Sequence, residues 1–308
     1  MIRRLTDINT KYVKEEHGTA FFDSYSIYYK KFTPKPTRLK QSIRYLLRRK
    51  RRTLVFIHPF VLNMDVWKYQ VDEFKNRHNI LLLDLPGFGS SPLNLNTELI
   101  PREITKSVAE VIETHTTGRV VLIGNSLGGA FSLSLVEFLK SKIEGFFLLA
   151  PLTVEGANMG VFKRLGQWLS TTAATRAVAN MANSILPIKL IVQFVFRFSI
   201  ESSLTVLEKE GFKEYLATYY QRKESIHALI STSKHLNKWD YLDVLYPLIK
   251  VPVLIIWGEN DKILPISSGK ILEEKIASAK LKIIKDMAHH PQLERPVKIN
   301  KFLKKFIA

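Results

Sequence analysis

A serine sits between two glycines in Gly124-Asn125-Ser126-Leu127-Gly128, and a third glycine, Gly129, follows. The run before it, Val120-Val121-Leu122-Ile123, is β-branched and aliphatic, as a strand would be. The stretch after it, "LGGAFSLSLVEFLK", reads as a helix. A strand that ends, a sharp turn and a helix that begins together lift a serine side chain clear as a nucleophile. Glycines two before and two after are needed because side chains there would collide across the turn. The new helix also aims backbone N–H groups at the same spot. A serine hydroxyl attacks only when a base takes its proton and an acid orients that base.

The later sequence offers both, in the order serine, acid, histidine. The strand-like "VPVLIIWG" (251–258) runs into "ENDKILP", so Asp261 lies just past a strand end and is the candidate acid. Glu259, nearer the strand, is the less favoured alternative, and Asp240 and Asp243 precede the strand and are expected to be solvated. The next apolar run, "KLKIIK" (280–285), leads into "DMAHHPQLERP" with two histidines. His290 precedes Pro291, which restricts it to extended conformations. Adjacent side chains of an extended loop point in opposite directions, so one of His289 and His290 faces the serine. The residues alone do not choose between them.

These groups must be carried by a scaffold. Six short apolar runs recur: "TLVFIH" (53–58), "NILLLD" (79–84), "RVVLIG" (119–124), "GFFLLA" (145–150), 251–258 and 280–285. Each is nearly continuously apolar, as expected of parallel strands covered on both faces. Stretches of helical length lie between them; "REITKSVAEVIETH" places Ile104, Val108, Val111 and Ile112 on one face. This is the alternation of an α/β fold, a mostly parallel sheet flanked by helices. Two weaker strands are expected around "KYVKEE" and "YSIYYKKF". The alternation breaks between about Pro151 and Tyr246, where the patterning is helical. The organisation predicted is a core of residues 1–151 and 246–308, with a helical cap or lid at 152–245.

Composition narrows the chemistry. The chain has 308 residues, 46% of them apolar, enough for a substantial core. It has no cysteine, which removes thiol catalysis, thiolate metal sites and disulfides. No apolar run is long enough to span a membrane. The start, "MIRRLTDINTKYV", lacks the apolar segment of a secretory signal, so a cytoplasmic location is expected. The formal charge is +18, and +11 of it comes from residues 1–52, with 15 Lys/Arg against 4 Asp/Glu.

With these residues quoted, the chain resembles the α/β-hydrolase superfamily. The resemblance covers about residues 53–150 and 247–306. It rests on "FIHPF", Trp67 nine residues after His58, "LLLDLPGFGSSP", "IGNSLGG", "IIWGENDKILP" and "AHHPQLERP". The ending typical of the family, G-H-x-P-x-x-E-x-P, aligns its catalytic histidine with His289, with Ala288 in place of the glycine; His290 becomes a loop residue. The resemblance also implies an oxyanion hole made by the backbone N–H groups of Leu127 and Phe60. Here His58-Pro59 stands where relatives carry His-Gly; proline lacks its own N–H, but that of residue 60 survives. His58 is expected to be structural, and Asp84 with "PGFGSSP" to shape a loop beside the site.

The expected activity is that of a serine hydrolase cleaving carboxylic esters with an apolar acyl or aromatic group, through Ser126, His289 and Asp261. No metal or organic cofactor is needed. Serine at the nucleophile position disfavours haloalkane and epoxide chemistry, for which relatives use aspartate. A carbon–carbon hydrolase of ring-cleavage products is the runner-up, since such relatives often show G-N-S-x-G-G. A non-catalytic binding protein is the rival from another class. The partner expected is a small-molecule ester. Residues 37–52, "TRLKQSIRYLLRRKRR", set Leu39, Ile43, Leu46 and Leu47 on one helical face among basic residues. Within a basic insertion at about 34–52, that face could contact an anionic membrane peripherally. Nucleic acid is disfavoured because no recognised binding motif accompanies the charge.

Overall fold

The computed structural model describes residues 5, 8–22, 25–35, 52–157, 222–236 and 238–308. The basic segment 37–51 and most of the expected cap lie outside the described residues.

One eight-stranded sheet forms the centre: β1 (Val13–Phe22), β2 (Tyr25–Pro34), β3 (Thr53–Ile57), β4 (Asn79–Asp84), β5 (Val120–Asn125), β6 (Ile143–Leu149), β7 (Val253–Gly258) and β8 (Ala279–Ile284). Their spatial order is β1-β2-β4-β3-β5-β6-β7-β8. The pair β1–β2 is an antiparallel hairpin, and β2 also runs antiparallel to β4. Every other neighbouring pair is parallel. The helices that matter for the site are α1 (Lys68–Phe74), α2 (Pro101–His115), α3 (Leu127–Ser134), α4 (Lys223–Lys234), α5 (Ile266–Lys275) and α6 (Pro296–Phe306).

The continuous apolar runs become the central strands. All of β3 and β5, and nearly all of β4, β6 and β7, are buried, because helices cover both faces of a parallel sheet. Helix α2 buries the face formed by Ile104, Val108, Val111 and Ile112, and Pro101 at its first turn needs no donor there. One expectation fails at the margin. Strand β8 is not covered on both faces: it is the edge of the sheet, with Lys280, Lys282 and Ile283 exposed. Lysines on an edge discourage pairing with another chain, which accounts for their place in an otherwise apolar run. At the other edge, β1 and β2 are each longer than their sequence signal. β1 mixes partly buried and exposed residues and β2 mixes buried and partly buried ones, so they lack the unbroken apolar run of the central strands.

The two ends of the core are tied together. The Arg52 guanidinium meets Glu144 at 2.5 Å and also donates to the carbonyl of Ile307.

Candidate active site

The chain crosses from β5 to α3 at Ser126, whose φ of 53° and ψ of −118° are strained for any residue with a Cβ. The glycines around it are sterically required. A Cβ on Gly124 would lie 2.3 Å from the Gly128 carbonyl oxygen, and one on Gly128 would lie 2.2 Å from that of Ile57. The close approach seats the start of α3 against the end of β3, beside the carbonyls of Ile57 and His58. Ser126 is buried, and its carbonyl accepts from Gly129, Ala130 and Leu152 amides, which pins the turn. Leu127, the first residue of α3, has no i−4 carbonyl within the helix for its N–H.

Past the end of β7, Asp261 buries its carboxylate completely. One oxygen, Oδ1, accepts from the amides of Ile263 (2.8 Å) and Leu264 (3.0 Å). The other, Oδ2, lies 2.8 Å from His289 Nδ1. A carboxylate there makes Nδ1 the donor and leaves Nε2 as the proton acceptor. The loops after β7 and β8 are stitched together by Asn260 N–H to Met287 O at 2.9 Å. Glu259 is exposed and makes no such contact with either histidine. Asp240 is exposed, and Asp243 is spent on an exposed ion pair with Lys275 at 2.8 Å.

His290 lies in the loop between β8 and the next helix, as the alignment implied, but its side chain is not a free loop side chain. It is buried and opens the short helix Pro291–Glu294. Its Nδ1 lies 2.8 Å from Asn125 Oδ1, and its ring packs edge-on to His289 with centroids 4.9 Å apart. Burial first, and then the neighbouring His289, hold its pKa well below the usual imidazole value. Asn125 joins the two loops: its Nδ2 donates to the carbonyls of Leu149 (2.8 Å) and His289 (3.1 Å). Gln292 Nε2 donates to the same Asn125 oxygen at 3.0 Å. Glu294 accepts from the amides on either side of His289, those of Ala288 (2.7 Å) and His290 (2.9 Å). The sequence marks Asn125 and Gln292 only as neighbours of the motifs. Their partners are far away in the chain, and no spacing reveals them.

The expected oxyanion loop has its own latch. His58 is fully buried; its Nδ1 donates to the Pro59 carbonyl at 2.8 Å, and its Nε2 accepts from Leu85 N–H at 2.9 Å. This requires a neutral ring, and burial lowers its pKa to about 4. Leu62 N–H returns to Pro59 O at 3.4 Å, closing a turn over Phe60 and Val61, and Val61 has a φ of 72°. Positive φ at a buried β-branched residue stores strain, a feature concentrated at functional loops. Asp84 braces the same loop, accepting from Met64 N–H and Ser90 N–H, each at 2.8 Å. Burial pushes its carboxyl up to about 7. Beside Leu127 lies a small, mostly apolar cavity walled by Leu85, Phe88, Phe131 and Trp239. His235, from the stretch after α4, reaches its rim and bonds Glu98 at 2.7 Å.

A strained serine after a central strand, with Asp261 and His289 bonded to each other on the loops after the last two strands, sits at one end of a mostly parallel sheet. Residues 52–296 match the alpha/beta hydrolase fold family, and the chain belongs to that family. It is similar to an uncharacterized hydrolase, YugF, of Bacillus subtilis, 24% identical over 83% of this chain and 90% of that one. It is also similar to the 2-hydroxy-6-oxononadienedioate/2-hydroxy-6-oxononatrienedioate hydrolase of Escherichia coli O81, 26% identical over 76% of this chain and 78% of that one. In fold it matches a thermophilic esterase from Thermogutta terrifontis with a TM-score of 0.72, at 15% identity, over 95% of this chain and 98% of that one. No helix among the described residues is long and apolar enough to cross a membrane.

Proposed function

We propose that the chain is a serine hydrolase acting on carboxylic esters with an apolar acyl or aromatic group. The observation that carries this reading is the 2.8 Å bond from His289 Nδ1 to the buried Asp261 carboxylate, on a loop tied by Asn125 to the strained Ser126 turn. In the proposed reaction Ser126 Oγ attacks the ester carbonyl while His289 Nε2 takes its proton. Asp261 holds the imidazole and stabilises its positive charge. The N–H groups of Leu127 and Phe60 receive the negative oxygen, each donor contributing about 3 kcal/mol. His289 then gives the proton to the departing alcohol, leaving an acyl-serine. Water, activated by the same imidazole, releases the acid.

Residues 152–245 form a cap over this site in the same reading. Its support is the way the described part holds the core. Ser231 Oγ accepts from Leu99 N–H at 2.8 Å, and His227 Nε2 donates to Thr97 O at 2.8 Å. The apolar cavity beside Leu127 favours an apolar group on the substrate.

A second reading, hydrolysis of a carbon–carbon bond, is favoured by one observation: the G-N-S-L-G-G turn together with the similarity to the Escherichia coli hydrolase. A panel of p-nitrophenyl esters of increasing chain length, run beside a ring-cleavage dienone, tests both. Ester turnover far above dienone turnover is expected. Dienone turnover alone would favour the second reading, and neither would favour a non-catalytic binding protein.

A further inference from the structure

The nucleophile turn and the histidine loop meet through one buried amide. Asn125, the residue before Ser126, uses all of its hydrogen-bonding capacity. Its two N–H groups go to Leu149 O and His289 O, and its two lone pairs receive His290 Nδ1 and Gln292 Nε2. Because both amide hydrogens must face carbonyls, the amide orientation is fixed. Oδ1 therefore faces His290, and an acceptor there makes Nδ1 of His290 the protonated ring nitrogen. All of these side chains are buried, so none can exchange its partner for water. The carboxylate of Glu294 holds the amides of residues 288 and 290, so the main chain around His289 is held by Glu294 as well as by Asn125.

We propose that Asn125 and His290 are positioning residues for the reaction: together they lock the main chain of His289 to the residue preceding Ser126, and so set the path over which the serine proton moves. The inference rests on the hydrolase reading above. Neither residue touches the reacting atoms. His290 acts through Asn125, and Asn125 acts through the carbonyl of His289. A shift of that loop by a fraction of an ångström changes the alignment of His289 with the serine while leaving the apolar cavity beside Leu127 untouched. The signature is a loss in kcat without a loss in KM.

His290→Leu removes the donor while keeping an apolar body of similar size, and Gln292 still satisfies one lone pair of Asn125. His290→Gln restores an N–H donor. For His290→Leu the expected result is a fall in kcat on a p-nitrophenyl ester of at least about tenfold, with KM within about twofold. Fluorophosphonate labelling of the serine should slow in parallel, and His290→Gln should recover most of both. A folded His290→Leu with unchanged kcat and labelling rate would overturn the proposal, as would a loss confined to KM. If the wild-type protein is not labelled at all, it is the hydrolase reading that fails, a result distinct from equal labelling of both proteins. Should the leucine variant not fold, nitrogen-15 spectra of the histidine rings in the wild-type protein decide. A slowly exchanging Nδ1–H on a neutral His290 is expected, and an Nε2–H tautomer there would overturn the proposal.

Discussion

Replacing Asp261 by asparagine changes one atom and isolates the step on which the proposed chemistry turns. Asp261 Oδ1 accepts two backbone amides, from Ile263 and Leu264, while Oδ2 faces His289 Nδ1. An asparagine at this position has one carbonyl oxygen and one NH₂. The two main-chain donors demand the oxygen on their side, so the NH₂ must face His289. A donor opposite Nδ1 forces that nitrogen to be the acceptor and moves the ring proton to Nε2. An imidazole protonated at Nε2 cannot take the serine proton. Where an aspartate holds the base in this way, the exchange costs about 10⁴-fold in kcat, or about 5 kcal/mol of barrier. Asp261→Asn should therefore fold with an unchanged circular dichroism spectrum and lose about four orders of magnitude in p-nitrophenyl ester turnover. A folded Asp261→Asn variant within tenfold of wild type would refute the reasoning, because the amide could not then be imposing the wrong tautomer.

Further outcomes follow from the same geometry. Ser126 pays for its φ of 53° through its Cβ, so Ser126→Gly should be inactive yet more stable than the equally inactive Ser126→Ala by about 1 kcal/mol in urea denaturation. His58 is buried neutral with a pKa near 4, below its unfolded value of about 6.5. The unfolded chain therefore takes up that proton first as pH falls. The folded state should lose up to about 3 kcal/mol relative to a His58→Gln variant between about pH 6.5 and pH 4, and nothing above that window. Parallel stability curves for the two proteins across that range would contradict the burial argument. If residues 37–52 contact an anionic membrane, changing Arg48, Arg49, Lys50 and Arg51 to glutamine should weaken partition onto anionic liposomes by about 10³-fold, at about 1 kcal/mol per charge, and unchanged sedimentation would remove the contact. Arg52 is kept in that test because it bonds Glu144 and Ile307.

The parts of the fold that read clearly in the sequence are those where burial is one-dimensional. Strands β3 to β7 are covered on both faces, so each announces itself as an unbroken apolar run. The hairpin β1–β2 is mostly only partly buried, and its mixture of lysine, glutamate and tyrosine gives a weaker signal than its length deserves. At the site, Ser126 is legible because a tight strand-to-helix crossing admits only glycine at 124 and 128. Asp261 is legible because it follows a strand end. The choice of His289 over His290 needed the family pattern, since both histidines have the same local chemistry. The buried place of His290, the fourfold role of Asn125 and the link from His58 to Leu85 are hydrogen bonds between residues distant in sequence. They depend on how separate loops converge above the sheet, which no local pattern encodes.

The most direct test of the central claim is to treat the protein with a fluorophosphonate at neutral pH and map the modified peptide by mass spectrometry. The account expects a single adduct on Ser126, within the peptide that spans Val120 to Gly129, and none in Ser126→Ala. An adduct elsewhere, an adduct that survives the alanine change, or none in the wild-type protein would contradict it.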